Sequence, residues 1–232
     1  SGGNKELQYS LNYSYFKDLG AMIGSGNDKH NISFSISHRP TKRISVNARV
    51  NYDQSYIYGM GTSDQNTRFN KMEHILQYRP TKGIYGNDQD LLNGEEDNVN
   101  DEDGNPMQNP LTSAKEEINK RQLRTFQANG GLTFNIAKGV TFRNNTGMRY
   151  QTTRNDVFYG EKSSIGKRSS ANGYIQYLEN SSFQTSNVLN YEYKKSKHKL
   201  IAMVGQEWVS RWTRNLRASA TNFPNNDINL DD

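Results

Sequence analysis

Hydrophobic and polar residues alternate with a period of two over long stretches of the chain. From Leu7 to Tyr15, every second residue is Leu or Tyr, and Gln, Ser and Asn fill the positions between them. Similar alternation returns over 29–39 and 43–57. Because successive side chains of a β-strand point to opposite faces, this pattern predicts three strands, near 6–17, 29–39 and 43–57, each with one apolar and one polar face.

Four further strands are predicted in the second half of the chain, near 121–136, 140–152, 173–193 and 198–213. Apolar residues occupy both faces of the last strand, and we assign its outward face to Leu200, Ala202, Val204 and Trp208. Short turns between the strands alternate with long connections. An up-and-down meander therefore places the short turns on one edge of the sheet and the long connections on the other.

The longest connection spans residues 58–120. The tetrapeptide RPTK occurs at 39–42 and again at 79–82, which would suggest a repeated turn. However, too few apolar residues follow the second copy to form another strand, and the apolar residues before it have a spacing closer to that of a helix. We therefore interpret 58–120 as one long external loop that contains a short helix near 67–78.

Composition rules out a well-filled conventional core. The residue set AVILMFWYC makes up only 32% of the 232 residues, whereas soluble domains usually contain about 45–50% apolar residues. The sequence also lacks the run of about 18 apolar residues that a membrane-spanning helix requires. A transmembrane β-barrel needs an apolar residue only at every second position, and each tilted strand needs about 9–11 residues.

These observations predict an all-β fold, namely an antiparallel, up-and-down transmembrane β-barrel segment of about seven strands with long external loops. The apolar face would meet lipid, the polar face would line a wet lumen, and aromatic residues near the strand ends would form interfacial girdles. The alternative is a soluble β-rich binding protein whose apolar face packs on a second sheet. The loop at 58–120 argues against that alternative, because compact soluble domains rarely contain such long connections.

Charge and motifs exclude several classes of function. The net charge is +5, but Lys and Arg are spread along the strands and form no basic block, so we expect no nucleic-acid partner. The sequence contains no cysteine, no phosphate-binding loop, no nucleophile motif and no histidine spacing that suits a metal ion. We therefore expect neither catalytic residues nor enzyme activity.

An acidic stretch in the long loop offers one weak candidate for a metal site. Asp101, Asp103 and Gly104 reproduce part of the spacing of an EF-hand calcium loop, and Asp97 lies just before them. However, Val99 stands at the first position of that loop and Pro110 at the twelfth, where a bidentate Glu is required. We therefore expect no cofactor, and a calcium ion in this external loop is kept as an alternative.

Polar and aromatic residues supply candidates for substrate contacts. The lumen-facing candidates, whose amide and guanidinium groups bind hydroxyls and carboxylates, are Asn47, Arg49, Asn51, Arg143, Asn145 and Arg149. Exposed aromatic residues of the long loops, which stack on sugars or pack against a partner, are predicted at Tyr56, Tyr58, Tyr85 and Phe158. The other interpretation of the lumen residues is a generic polar lining.

Four segments resemble the barrel of SusC/RagA-type TonB-dependent outer-membrane transporters. The first is SGGNKELQYSLNYSYFKDLGAM at 1–22, which is similar to the strand and loop that follow the plug in that family. The second is NPLTSAKEE at 109–117, which is similar to an Asn-Pro-Leu stretch of the family. The others are a strand, Lys-Gly turn and strand in LTFNIAKGVTFRNNTGMRY at 132–150, and HKLIAMVGQEW followed by ASATNFPNNDINLDD.

The resemblance implies a function and several partners. It implies import of oligosaccharides or peptides across the outer membrane of a Gram-negative cell, driven by the TonB complex, with a SusD-like surface lipoprotein as a lid over the external loops. Barrels of this kind have about 22 strands around a plug. Residues 1–232 would then be part of one barrel domain embedded in outer-membrane lipid, without the plug or the TonB box. A TonB-dependent siderophore or cobalamin receptor has the same architecture and is an alternative.

Overall fold

A computed structural model describes residues 1–59, 75–76, 110–163, 165–196 and 198–224. Its elements in chain order are β1 (Gly2–Gly3), β2 (Leu7–Leu19), β3 (Gly26–His38), β4 (Ile44–Tyr58), α1 (Pro110–Glu116), β5 (Glu117–Ala137), β6 (Val140–Tyr159), α2 (Gly166–Ser169), β7 (Asn172–Lys195) and β8 (His198–Thr221). No helix of the described residues has the length and hydropathy needed to cross a membrane.

The eight strands form a single antiparallel sheet whose strand order is the chain order, from β1 to β8. The predicted all-β, up-and-down fold is therefore confirmed. The structure has eight strands where about seven were predicted. The additional strand is β1, which pairs with Gln8 and Tyr9 of β2. Two consecutive glycines carry no alternation of apolar and polar residues, so the pattern does not reveal this strand.

The long strands extend further toward the long connections than the alternation predicted. β3 begins at Gly26, β5 begins at Glu117, β6 ends at Tyr159 and β8 ends at Thr221. Most residues in these extensions are polar or small, so they carry no period-two signal, although pairing with the neighbouring strand continues. The connection predicted at 58–120 is therefore shorter and spans residues 59–116. Of the helix predicted near 67–78, only Ile75 and Leu76 lie within the described residues, and both are helical.

The short turns lie on one edge of the sheet, as the meander predicts. Residues 39–43 join β3 to β4, Lys138 and Gly139 join β5 to β6, and β8 begins shortly after β7 ends at Lys195. The connections at the opposite edge, between β2 and β3, β4 and β5, and β6 and β7, are all longer than these turns.

The register of the strands defines two faces of the sheet. On the first face, Tyr52 lies opposite Ile32 and Phe126. On the second, the neighbouring residue Asn51 lies opposite Gln127. We call the face that carries Tyr52 the belt face and the face that carries Asn51 the polar face.

Large apolar side chains of the belt face are exposed. Leu11 is 65% exposed and Val204 is 74% exposed. The assignment of Leu200, Ala202, Val204 and Trp208 to this face is confirmed, because they lie opposite Tyr193, Tyr191, Leu189 and Thr185 of β7. The described residues form one sheet, with no second sheet over the belt face. The packing expected of a soluble sandwich is therefore absent from the described part of the chain.

Buried apolar side chains cluster at the edge that carries the long connections. Among the described residues, they are Val157, Phe158 and Ala171. The ring of Phe158 packs edge-on against Phe223, with 5.5 Å between the ring centroids. The prediction that Phe158 is an exposed loop residue is therefore wrong, because β6 extends through it and the ring is covered.

Candidate functional site

Two glycines let polar side chains approach one another at the centre of the polar face. Gly131 of β5 lies between Asn47 of β4 and Asn145 of β6 in the register. A methyl group at Gly131 would lie 2.3 Å from Asn47 Oδ1 and 3.2 Å from Asn145 Oδ1. The missing side chain therefore provides the space into which both amide groups lean. Interior glycines of a strand often mark this kind of close approach.

Gly147 of β6 has the same role one row further along the strands. It lies between Asn129 of β5 and Gln184 of β7. A methyl group at Gly147 would lie 2.9 Å from Asn129 Oδ1 and 3.5 Å from Gln184 Nε2. The two glycines therefore lie beneath a set of side-chain amides contributed by four adjacent strands.

The amides line a concave space of about 1130 Å³ on the polar face. Side chains of the polar face that line it include Gln8, Ser10, Ser35, Asn47, Arg49, Asn129, Asn145, Gln184, Ser186 and Glu207. These groups offer many hydrogen-bond donors and acceptors, and charged side chains of both signs, Lys5, Arg49 and Glu207, line the same space. The polar groups of this surface are suited to a polar ligand or polypeptide.

The structure brings together only some of the predicted lumen residues. Asn47, Arg49 and Asn145 line the concave space. Asn51 and Arg149 lie on the same face but further from the short turns, where both are opposite Gln127. Arg149 Nη2 donates a hydrogen bond to Gln151 Oε1 at 2.7 Å.

Several lining residues were not predicted. The sequence pattern did not identify Asn129, Gln184 and Glu207 as lining residues. Alternation assigns each residue to a face of the sheet but does not show which residues of other strands lie beside it. The consecutive glycines Gly130 and Gly131 inside a strand were the available signal.

Arginine outnumbers carboxylates on the part of the polar face that surrounds and adjoins the concave space. Arg211 of β8 lies opposite Ser182, which lies opposite Arg149, so both guanidinium groups belong to this face. Asp53 lies on the same face and accepts a hydrogen bond from the Asn31 amide. The arginines of this region are Arg49, Arg143, Arg149 and Arg211, and the carboxylates are Asp53 and Glu207.

Comparisons with known proteins cover almost the whole chain. No family model matches. The chain is 22% identical over 231 residues to TonB-dependent receptor P3 of Formosa agariphila, which covers 98% of this chain and 22% of that protein. It superposes on the RagAB peptide transporter with a TM-score of 0.67 at 15% identity, over 95% of this chain and 24% of that one. The RagAB peptide importer in its closed-closed state gives a TM-score of 0.70 at 16% identity, over 99% and 25%.

The resemblance to SusC/RagA-type TonB-dependent transporters is confirmed. The chain spans about a quarter of the length of these relatives. Its sheet therefore matches the fold of one segment of these longer chains. At this level of identity the superposition shows a shared fold.

Two aromatic residues that were predicted in a long loop lie in a strand instead. Tyr56 and Tyr58 are part of β4, are half-buried, and have ring centroids 5.7 Å apart. Both lie on the belt face, since they share the parity of Tyr52 along β4. The prediction of exposed loop aromatics at these positions is wrong, because β4 continues to Tyr58 and its last residues remain paired with β3 and β5.

The remaining candidates lie outside the described residues. They are Tyr85 and the three carboxylates of the weak calcium candidate, Asp97, Asp101 and Asp103. Within the described part of the chain, no group of three or more His, Asp or Glu side chains is placed to hold a metal ion.

Proposed function

We propose that the protein containing this chain imports polar nutrients, either oligosaccharides or peptides, across the outer membrane of a Gram-negative cell. In this proposal the chain supplies part of the barrel wall and of the external loops. The single observation that carries the proposal is the two-faced sheet, with exposed apolar side chains on the belt face and a concave, amide-rich surface on the other. The RagAB relatives, which are a peptide transporter by name, support an import function.

The belt face is suited to lipid. Exposing an apolar side chain to water costs about 25 cal/mol per Å² of its surface, so large exposed residues across a whole sheet would be unfavourable in solution. Hydrocarbon removes that cost without a second protein layer. Tyr13, Tyr52, Tyr150 and Trp212 lie toward the long connections, and Tyr191 and Tyr193 lie toward the short turns, as interfacial girdles require.

The polar face is suited to a hydrated interior. Backbone groups within a membrane must be paired, and the sheet pairs them strand to strand. The surplus of arginine would bind carboxylates of a peptide, while the amides would bind the hydroxyls of a sugar. A SusD-like lipoprotein over the external loops and energy transfer from the TonB complex, through parts outside this chain, complete the proposed importer.

The test uses the full-length protein in its own cell. Deleting the gene should abolish growth on either defined peptides or defined oligosaccharides, and restoring it should recover growth. Arg49→Ala should lower uptake at limiting substrate about tenfold, because a hydrogen bond to a charged group contributes about 1.5–3 kcal/mol. Lys17→Ala, which removes one exposed charge from β2 outside the concave space, is the matched control and should leave uptake unchanged.

Three outcomes would decide against parts of this proposal. Normal growth of the deletion strain on every nutrient, with a defect only under iron or cobalamin limitation, would favour the siderophore or cobalamin receptor. Unchanged uptake by Arg49→Ala, at equal amounts of folded protein, would remove the role given to the concave surface. Unchanged uptake after deletion of the gene for a neighbouring lid lipoprotein would show that this lipoprotein is not a required partner.

A further inference from the structure

Every short turn of the sheet carries lysine or arginine. The turn between β3 and β4 contains Arg39, Lys42 and Arg43, the turn between β5 and β6 contains Lys138, and the ends of β7 and β8 contain Lys194, Lys195 and Lys199. We call these seven residues the basic rim. All of them are exposed. Because the short turns share one edge of the sheet, the seven charges lie along a single line.

Two carboxylates share the edge of the basic rim: Glu192 near the end of β7, and Glu6, which lies beside Lys5 in the connection between β1 and β2. Lys194 Nζ lies 2.5 Å from Glu192 Oε1 and Lys199 Nζ lies 3.3 Å from it, so these two lysines share one carboxylate. Within the described residues, Lys42, Lys138 and Lys195 have no carboxylate partner. The opposite edge is mixed in sign, since Asp18, Asp28, Asp156 and Glu161 accompany Lys17, Lys29 and Lys162 there.

The rim begins where the belt face ends. Lys195 lies opposite His198 at the ends of β7 and β8, on the same face as Tyr193 and Leu200. Tyr193 and Leu200 are 45% and 58% exposed. A lysine placed directly beyond an aromatic girdle lies at the depth of lipid headgroups, and its long side chain reaches the phosphates while its stem covers apolar surface.

We propose that the basic rim binds the phosphate groups of anionic phospholipids in the membrane leaflet that meets the short turns. This proposal rests on the proposed function, because it requires that the belt face lies in a membrane. Each lysine or arginine near an anionic lipid surface contributes about 1 kcal/mol, and the contribution decays within a Debye length. Charges spread along a whole edge therefore favour a continuous lipid surface over a single small ligand.

The experiment compares two variants of the full-length protein purified in detergent. The rim variant combines Lys42→Gln, Lys138→Gln and Lys195→Gln. The control variant combines Lys29→Gln, Lys115→Gln and Lys162→Gln, which remove the same charge from exposed positions away from the rim. Native mass spectrometry counts bound lipid after addition of phosphatidylglycerol or phosphatidylcholine. A parallel arm replaces the lipid by inorganic phosphate and measures the shift in thermal unfolding.

We expect the wild-type and control proteins to retain phosphatidylglycerol in preference to phosphatidylcholine. Each neutralised rim lysine should weaken that retention about fivefold, and 0.5 M salt should abolish the preference in the wild type. Inorganic phosphate should produce no shift, because a free ion lacks the acyl chains that hold it against the belt.

Equal retention of phosphatidylglycerol by the wild type and the rim variant would overturn the proposal. Equal loss in the rim and control variants would overturn it as well, since position would not matter. A stabilising shift with inorganic phosphate that the rim variant lacks would identify a free-anion site instead of a lipid site. Membrane fractionation tests the proposed function separately, because an outer-membrane barrel without lipid preference refutes only the present proposal.

Discussion

At the scale of single residues, Gly139 controls the turn between β5 and β6. Its φ of +81° is in the region that favours glycine, and a methyl group there would lie 2.1 Å from the carbonyl oxygen of Glu192. That carbonyl belongs to the backbone of β7 and cannot move without disturbing the sheet. Gly24, with a φ of +74°, has the same backbone conformation but no atom within 4 Å of the added methyl group.

The two glycines therefore form a matched pair of substitutions. Gly24→Ala is expected to cost about 1–2 kcal/mol from backbone strain alone. Gly139→Ala is expected to cost a further 1–3 kcal/mol or so, because the methyl group collides with a neighbouring strand. Urea unfolding of the full-length barrel in lipid vesicles measures both values. Equal costs would show that the turn relaxes away from β7.

The belt face contains a hydrogen-bonded group of polar side chains between its apolar rows. The Thr146 and Thr185 hydroxyls lie 3.0 Å apart, and Asn144 Nδ2 donates to Asn187 Oδ1 at 2.8 Å. Asn187 Nδ2 in turn donates to Gln206 Oε1 at 3.4 Å. Polar groups that face hydrocarbon are costly unless they pair, and here β6, β7 and β8 supply partners to one another.

The threonine pair permits a double-mutant cycle. Thr146→Val removes one hydroxyl and leaves the other with fewer partners, whereas Thr146→Val with Thr185→Val removes both. We expect a coupling of about 0.5–1 kcal/mol between the two sites, measured by vesicle unfolding. Ser10 and Ser35 form a similar pair at 2.8 Å on the polar face, where water replaces a lost partner, so their alanine cycle should show almost none. Similar coupling for both pairs would contradict the assignment of faces.

At the scale of elements, neighbouring residues of one strand have opposite surroundings. Val50 lies between Phe34 and Ala128 on the belt face, and Asn51 lies between Ser33 and Gln127 on the polar face. The whole interpretation of the strands as membrane-spanning depends on this difference between adjacent positions.

An arginine at each of these two positions tests it. Val50→Arg is expected to destabilise the barrel by about 2–4 kcal/mol, because it places a charge toward lipid. Asn51→Arg should change stability by less than about 1 kcal/mol, because its charged side chain would remain hydrated on the polar face. The folded fraction of full-length protein in outer-membrane preparations provides the measurement. A larger cost at Asn51 would reverse the two faces.

At the scale of the whole molecule, the sheet has two edge strands without further partners among the described residues. β1 pairs only with β2, and β8 pairs only with β7. Every residue of β8 is exposed. Unpaired strand edges beside an uncovered apolar face promote aggregation, and a membrane cannot solvate the open backbone groups.

The chain produced by itself should therefore not form a stable monomer in detergent. We expect no heat-modifiable band in gel electrophoresis and rapid loss of the chain to protease, because stability requires the rest of the barrel. The full-length protein is the positive control and should resist both treatments. A cooperative, protease-resistant monomer of residues 1–232 would contradict the barrel interpretation.

Alternation predicted the strands well where one face is apolar and the other is polar. It identified the seven long strands and the outward face of β8 from residues such as Leu200 and Val204. It failed at the strand ends beyond the belt, as at Tyr58 and Phe158, because pairing continues there without a contrast between faces. It also assigned Asn47, Arg49 and Asn145 to one face, but it did not show that Asn47 and Asn145 share a row across Gly131.

By itself, the sequence determined which residues belong to each face, how the strands follow one another, and that the short turns share an edge. These properties depend on local periodicity and on chain connectivity. Only the tertiary structure decided which polar residues of different strands meet, because that depends on the register between strands. The approach of Asn47 and Asn145 over Gly131 is such a case, since neighbours across a sheet are separated along the chain by whole strands and loops.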